Sequence, residues 1–205
     1  MTEILDEPNE PRSRAVLDQL LQEMLDRPEA QDEIIAQVEQ VFGHAAAVLI
    51  LDMSGFSRST QQHGIVRFLL MIFQMRVLAE SAITRNGGVL VKAEADNLYC
   101  HFPTTDQAVA AAMAIIERLE TVNPLLPSDR RLYASIGIGF GQILDIEGDM
   151  FGDEINLTCK LAEDIAQRGE VLMTQAAHAS LGTGIDSVAK SVSISGLSLP
   201  YHQLR

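Results

Sequence analysis

The order of apolar segments after Gly43 limits the folds open to this chain more than any other feature of its sequence. Runs suited to strands alternate with stretches of helical spacing. They predict strands at 46–52, 88–95, 97–102, 132–140 and 170–174, and helices at about 56–85, 105–121 and 152–167. This β-α-β-β-α-β order is typical of a ferredoxin-like α+β core, with one mostly antiparallel sheet and helices on one face.

Turn and cap residues mark the ends of these segments. Asn86-Gly87-Gly88 closes the first long helix with residues that accept a positive φ. Thr104 and Gln107 resemble a capping box at the start of the second helix. The tetrapeptide Glu94-Ala95-Asp96-Asn97 separates two apolar runs and therefore predicts a tight hairpin.

The residues before the first strand form a separate segment. Acidic groups and two prolines in residues 1–12 favour a flexible tail. Apolar residues at helical spacing then predict two short amphipathic helices within 13–43. Packing against the main domain is the simpler interpretation of these helices, and a dimerisation or signal-input element is the alternative.

Composition and charge narrow the partners. A chain of 205 residues that is 47% hydrophobic is long enough for one sizeable core. Its formal net charge of −13 should repel nucleic acids and anionic membrane surfaces. The N-terminus lacks a secretion signal, and charged residues interrupt the long apolar stretch at 65–78. We therefore expect a cytoplasmic protein that contacts neither membrane nor nucleic acid, with Cys100 and Cys159 as reduced core residues.

Two aspartates end apolar strand-like runs. Asp52 follows the run 46–51, and Asp96 follows the run 89–95. Carboxylates on adjacent strand ends can bind a divalent cation, and Gly55 and Phe56 could then offer backbone N–H groups to an anion. A cation beside an N–H cradle suggests a nucleoside triphosphate. Each aspartate taken alone is more simply a turn residue that caps a backbone N–H.

A second polar group surrounds the third predicted helix. Asn156 and Lys160 are four residues apart, which places them on one helical face, and Asp149 precedes the helix. An amide beside a cation can orient a ribose and balance phosphate charge. A solvated polar face is the alternative interpretation.

Four motifs together resemble the class III nucleotidyl cyclase catalytic domain, the adenylate and guanylate cyclase family. The resemblance covers roughly residues 44–203, and we treat 44–205 as a cyclase homology domain. The motifs occur in the family's order: Asp52-x-x-Gly55-Phe56-Ser57, Gly87-Gly88-x-x-Val91-Lys92-x-x-x-Asp96, Ile136-Gly137-Ile138-Gly139-x-Gly141 and Phe151-Gly152-Asp153-x-Ile155-Asn156-Leu157.

The resemblance implies a role for each of these positions. Asp52 and Asp96 would ligate two Mg²⁺ or Mn²⁺ ions, and the backbone near Gly55 and Phe56 would receive the phosphates of ATP. Lys92 and Asp149 would contact the base, Asn156 would orient the ribose, and Lys160 would contact the transition state. The family builds each site across a head-to-tail dimer, which implies a homodimer with active sites at the subunit interface.

The implied function is an adenylate cyclase that converts ATP to 3′,5′-cyclic AMP and pyrophosphate. A lysine and a carboxylate complement the N1 acceptor and 6-amino donor of adenine, whereas guanine reverses both. Glu94 lies two residues from Lys92 on the same strand face and could pair with it instead. This leaves open a cyclase for another nucleotide. The Gly-Gly-Asp/Glu-Glu-Phe signature of diguanylate cyclases is absent.

Four positions depart from the family pattern. Lys160 replaces the usual arginine, and Ser195 stands where a phosphate-binding lysine is common. In the hairpin, Glu94 replaces an apolar residue and Ala95 replaces a glycine. A compact ammonium cannot bridge two phosphate oxygens as a guanidinium does. The alternative function is therefore a cyclase-like nucleotide-binding or regulatory module with little or no turnover.

Overall fold

A computed structural model gives the architecture, and the structure describes residues 12–54, 64–182, 184–194 and 197–205. Three predictions lie outside these ranges. They are the acidic tail up to residue 11, the phosphate-binding backbone at Gly55 and Phe56, and the contribution of Ser195.

A single sheet of eight strands forms the centre of the described structure. Its spatial order is β2-β3-β1-β4-β6-β8-β7, with β5 paired to β4. Only β4 and β6 run parallel among these strand pairs, so the predicted α+β fold with a mostly antiparallel sheet is confirmed. The strands are β1 (Gly43–Met53), β2 (Val89–Glu94), β3 (Asn97–Phe102), β4 (Ala134–Ile146), β5 (Asp149–Phe151), β6 (Val171–Thr174), β7 (Ser187–Ile194) and β8 (Leu197–Leu204).

Six α-helices accompany the sheet in the described ranges, and the two predicted N-terminal helices are among them. They are α1 (Arg14–Asp26), α2 (Gln31–Phe42), α3 (Ile65–Arg85), α4 (Thr105–Val122), α5 (Asp153–Lys160) and α6 (Gln175–Ala179). A π-helical turn, Leu161–Ile165, continues α5. Within the described part of the chain, no helix has the length and apolar character needed to cross a membrane.

The helices occupy both faces of the sheet, so the prediction of helices on one face is wrong. Leu49 and Leu51 of β1 point to the core beneath α3 and α4. Val48 and Ile50 point to the opposite face, where α5 packs. The close approach of α5 depends on glycine in β4, because a Cβ at Gly139 would lie 2.2 Å from the hydroxyl of Thr158.

The N-terminal helices pack on the end of β4 through their own small core. Leu17 of α1 and Ile34 and Phe42 of α2 are buried there against Ile146. Burial of these side chains supplies the hydrophobic free energy that holds the helices in place. The structure thus contains the packing that the simpler interpretation expects.

The helix cap and helix end that the sequence predicted are present in the structure. Thr104 caps α4 by accepting a bond from the backbone N–H of Gln107 at 3.3 Å. Gly87 follows α3 with φ +76°, and the N–H of Gly88 bonds to the carbonyl of Ile83 at 3.0 Å. Strand β4 extends past the predicted end at 140, because residues 141–146 pair with the start of β1 and with β5.

Candidate active site

Strand register brings the two predicted metal ligands together. Asp52 lies near the end of β1 and pairs with Asn97, the first residue of β3. Asp96 directly precedes Asn97 in the turn that joins β2 to β3. Asp52 also shares its face with Ile50, the face on which α5 packs. The two carboxyl groups therefore meet at one sheet end, close enough that the charge of Asp96 raises the pKa of Asp52.

The hairpin that carries Asp96 has an unusual backbone. Glu94 pairs with Asn97, which leaves Ala95 and Asp96 as a two-residue turn. Ala95 has φ +51° and is the one non-glycine residue with a positive φ in the described ranges. Tight hairpin turns favour glycine at such a position because a Cβ atom costs free energy there.

Three carboxyl groups crowd the metal half of the site. Burial, then Asp96, then Glu163 raise the pKa of Asp52 to about 6. Burial also raises the pKa of Asp96, and burial followed by the charges of Asp164 and Asp96 raises that of Glu163. Carboxylate oxygens suit hard cations such as Mg²⁺ or Mn²⁺. The donor set therefore fits the ions that the resemblance implies.

An unsatisfied amide oxygen adjoins this cluster. Asn97 donates its side-chain Nδ2 to Glu163 at 2.8 Å. Its Oδ1 is buried, and no described residue is hydrogen-bonded to it. A buried acceptor without a donor is costly, so a ligand or water that supplies one would stabilise the cluster.

Sequence reasoning missed Glu163. Its spacing offered a signal, because Asn156, Lys160 and Glu163 follow the i, i+4, i+7 pattern of one helical face. The residue lies in the π-helical turn after α5, where that spacing no longer fixes direction. Only the structure shows that this turn brings a third carboxylate toward Asp52.

The predicted base-binding residues also meet. Lys92 Nζ lies 2.9 Å from Asp149 Oδ1 and 3.3 Å from Glu94 Oε2. The same ammonium lies 4.6 Å from the centre of the Tyr99 ring. The predicted pairing between Lys92 and Glu94 is therefore present, and it coexists with the pairing to Asp149.

These contacts favour the charged forms of both partners. Burial opposes ionisation of Asp149, but hydrogen bonds from Lys92 and from the Met150 backbone N–H outweigh it, so the pKa of Asp149 is lowered. The hydrogen bond to Asp149 raises the pKa of Lys92 above its ordinary value, although burial works against it. The pair remains ionised at neutral pH.

The predicted ribose and transition-state residues lie on the exposed side of α5. Both Asn156 and Lys160 are exposed. Lys160 Nζ lies 3.7 Å from Asp164 Oδ2, an ion pair within one helical face. Neither side chain is buried by its own subunit, so both are available to a molecule that approaches this face.

The cysteines take no part in this site. Cys100 is fully buried and Cys159 is half-buried, and both are free thiols. Burial raises the pKa of each thiol above its ordinary value. Neither thiol is therefore ionised at neutral pH, as a nucleophile would be.

Comparisons with known proteins agree with the motifs. A curated protein of Rhizobium meliloti (strain 1021), described as "Putative adenylate cyclase 3", is 26% identical over 140 residues, which are 68% of this chain and 24% of that protein. The chain thus spans about a quarter of the length of this relative. No family model matches the chain.

Solved structures show the same architecture. The adenylate/guanylate cyclase/hydrolase from Silicibacter pomeroyi superposes with a TM-score of 0.66 at 24% identity, over 79% of this chain and 96% of that one. This chain has the fold of class III nucleotidyl cyclase domains. The core of a rhodopsin-guanylyl cyclase with converted specificity, solved with ATPαS, gives a TM-score of 0.70 at 14% identity, over 80% of this chain and 98% of that one.

The resemblance to class III cyclases that the motifs indicated is confirmed. The chain shares the fold of adenylate/guanylate cyclase domains, and the similar structures include proteins named for either nucleotide. The choice of nucleotide must therefore be argued from the residues around Lys92.

Proposed function

We propose that the protein is an adenylate cyclase that converts ATP to 3′,5′-cyclic AMP and pyrophosphate. One observation carries the proposal: register and turn bring Asp52 and Asp96 to one sheet end, where their crowded charges call for a cation. The ribose 3′-oxygen would attack the α-phosphorus, the bond to the β-phosphate would break, and the 3′-proton would pass to solvent. Mg²⁺ or Mn²⁺ bound there would acidify the 3′-hydroxyl and balance charge on the departing pyrophosphate.

The arrangement around Lys92 supports adenine. An ammonium has three donors, and Asp149 and Glu94 accept from two of them. The third could donate to N1 of adenine. Asp149 receives both Lys92 and the Met150 N–H on Oδ1, so Oδ2 could accept from the 6-amino group. Guanine would place a donor against Lys92 and an acceptor against Asp149, leaving polar atoms unpaired.

The exposed positions of Asn156 and Lys160 support a homodimer. Each would complete the site of a partner subunit, where Asn156 orients the ribose and Lys160 balances phosphate charge. Asp52 and Asp96 of one subunit would then act with Lys92, Asp149, Asn156 and Lys160 of the other. An isolated subunit is accordingly expected to be inactive.

One observation favours a second candidate, a nucleotide-binding module with little turnover. The ammonium of Lys160 is already paired with Asp164 at 3.7 Å, and it lacks the planar fork of arginine. This pair is exposed and therefore weak, so an incoming phosphate could replace it. Retention of Asp52 and Asp96 keeps catalysis ahead of this candidate.

The deciding experiment is a product assay. The purified dimer is incubated with Mn²⁺ and, separately, with ATP, GTP, CTP or UTP, and cyclic products are identified by mass spectrometry. Cyclic AMP from ATP alone is the expected result. A different cyclic product would replace the adenine assignment, and no product with measurable nucleotide binding would favour the binding module.

Two variants extend this assay. Asp52→Ala should abolish turnover and leave the dimer intact by size-exclusion chromatography; unchanged activity would refute the metal assignment.

Lys160→Arg should raise the rate by about tenfold, because a guanidinium can contact two phosphate oxygens. A lower rate in Lys160→Arg would show that the site is adapted to lysine.

A further inference from the structure

A cluster of side chains that can ligate a metal ion lies far from the carboxylates of the candidate active site. His44, His101 and Asp145 come from β1, β3 and β4, and one ligand atom of each lies within 4.8 Å of those of the other two. His44 shares a strand face with Asp52, but the two are eight residues apart along β1. At about 3.3 Å per residue, this separation is about 26 Å.

The three side chains already converge. The rings of His44 and His101 meet edge to face with their centres 5.5 Å apart. His101 Nε2 lies 3.8 Å from Asp145 Oδ2. All three residues are half-buried, and each is anchored on a strand of the central sheet. Rigid strands hold a set of ligands more accurately than loops do.

We propose that His44, His101 and Asp145 bind one Zn²⁺ or a similar transition-metal ion, with a fourth position open to water or another ligand. Two imidazoles and one carboxylate suit such an ion, whereas Mg²⁺ prefers oxygen ligands alone. Bonds of about 2.1 Å in a tetrahedral site place ligand atoms about 3.4 Å apart. Side-chain rotations that move the ligand atoms by about 1 Å would bring them to that spacing.

Arg12 competes for the same position. Its guanidinium NH1 lies 3.5 Å from Asp145 Oδ2 and 3.4 Å from His44 Nδ1. Its Nε also donates to the carbonyl of Val41 at 3.1 Å. Arg12 thus contacts two of the three proposed ligands. A bound dication would repel this cation, so ion binding displaces the Arg12 side chain from the sheet.

Zinc titration of the metal-free full chain by isothermal calorimetry tests the proposal. His44→Gln and His101→Gln should each weaken binding of one Zn²⁺ per chain by about a hundredfold. His178→Gln is the matched control, because His178 stacks on His202 elsewhere in the structure, and its binding should equal that of the unmodified protein. Equal affinity in all three variants, with unchanged circular dichroism, would overturn the proposal.

Three further measurements separate this site from the carboxylates near Asp52. Asp52→Ala should retain the Zn²⁺ site even if cyclase activity is lost, and loss of Zn²⁺ binding in that variant would overturn the assignment. Arg12→Gln should tighten binding by about tenfold, and weaker binding would overturn the competition. Bound Co²⁺ should show the intense visible absorption of a four-coordinate ion, and a weak octahedral spectrum in the unmodified protein would contradict the proposed four-coordinate site.

Discussion

The two halves of the candidate active site hold charge in opposite ways. Around Asp52, like charges crowd together, and both burial and neighbouring carboxylates raise its pKa to about 6. Around Lys92, opposite charges pair at 2.9 and 3.3 Å. The hydrogen bond to Asp149 raises the pKa of Lys92, and that of Asp149 is lowered. The first half therefore favours a cation from outside, whereas the ammonium and carboxylates of the second are paired within the chain.

This difference assigns separate tasks to the two halves. A cluster that repels itself gains most from a bound cation, which suits the proposed chemistry at phosphorus. A paired cluster holds its donors and acceptors in fixed positions, which suits discrimination between bases. Substitutions in the two halves should therefore affect different measurements.

The largest effect is expected in the metal half. Asp96→Asn removes one anionic ligand and should lower turnover of ATP by about a thousandfold, measured with saturating Mn²⁺. Asp129→Asn, a change at an exposed acid on a short surface helix, is the control and should leave the rate unaltered. Full activity in Asp96→Asn would contradict the assignment of metal binding to the half of the site around Asp52.

A smaller effect, on selectivity, is expected in the base half. Asp149→Asn removes the negative charge nearest Lys92 and exchanges one acceptor oxygen for an NH₂ donor, so it should reduce the preference for ATP over GTP by about tenfold, read from the ratio of kcat/KM values. Glu94→Gln is the matched change, since Glu94 is 68% exposed and its pairing is weaker. We expect Glu94→Gln to alter the preference by less than about threefold. A larger effect from Glu94 than from Asp149 would reassign the base contact.

The crowding around Asp52 should appear in the stability of metal-free protein. Its pKa is raised from 3.8 to about 6 on folding, so the folded state holds this proton to higher pH. The stabilisation is therefore complete below about pH 4 and is lost as the pH rises through 6. With solvent screening the loss is about 1 to 2 kcal/mol.

Thermal unfolding in EDTA across pH 4 to 8 measures this loss. Asp52→Asn should flatten the decline, because the amide does not titrate. Identical slopes for both proteins would show that the burial of Asp52 and its repulsion by Asp96 and Glu163 do not affect folding.

The smallest effect concerns the hairpin between the two halves. Ala95→Gly relieves the positive φ of +51° and should stabilise the protein by about 1 kcal/mol, seen as a rise in Tm of about 2 to 4 °C. Ala93→Gly, in the neighbouring strand β2, serves as the control and should lower Tm. A fall in Tm for Ala95→Gly would mean that its methyl group makes contacts that outweigh the strain.

Much of the fold followed from short-range sequence signals. The Thr104 cap, the Gly87 helix end and the hairpin at 94–97 are local, and each is present in the structure. The sequence also predicted that Asp52 and Asp96 are neighbours. Each aspartate ends an apolar strand, and the helix and hairpin that connect these strands allow few arrangements. Strands β7 and β8 were not predicted, because serine, lysine and proline interrupt their apolar alternation.

The rest depended on contacts between distant parts of the chain. The side of the sheet that α5 covers is set by glycines in β4, whose spacing in sequence does not show which face they open. Glu163 reaches Asp52 through a π-helical turn that changes the helical phase. His44, His101 and Asp145 are separated by 57 and 44 residues, so only strand pairing unites them.

The glycines beneath α5 have one more consequence. At Gly137, a Cβ atom would lie 2.4 Å from the backbone oxygen of Thr158, so helix and strand touch without side chains between them. Such close packing resists sliding, so we expect Asn156 and Lys160 to move together with the sheet. In the proposed dimer, a regulator would then act by reorienting whole subunits, and its influence would be transmitted through the angle between them.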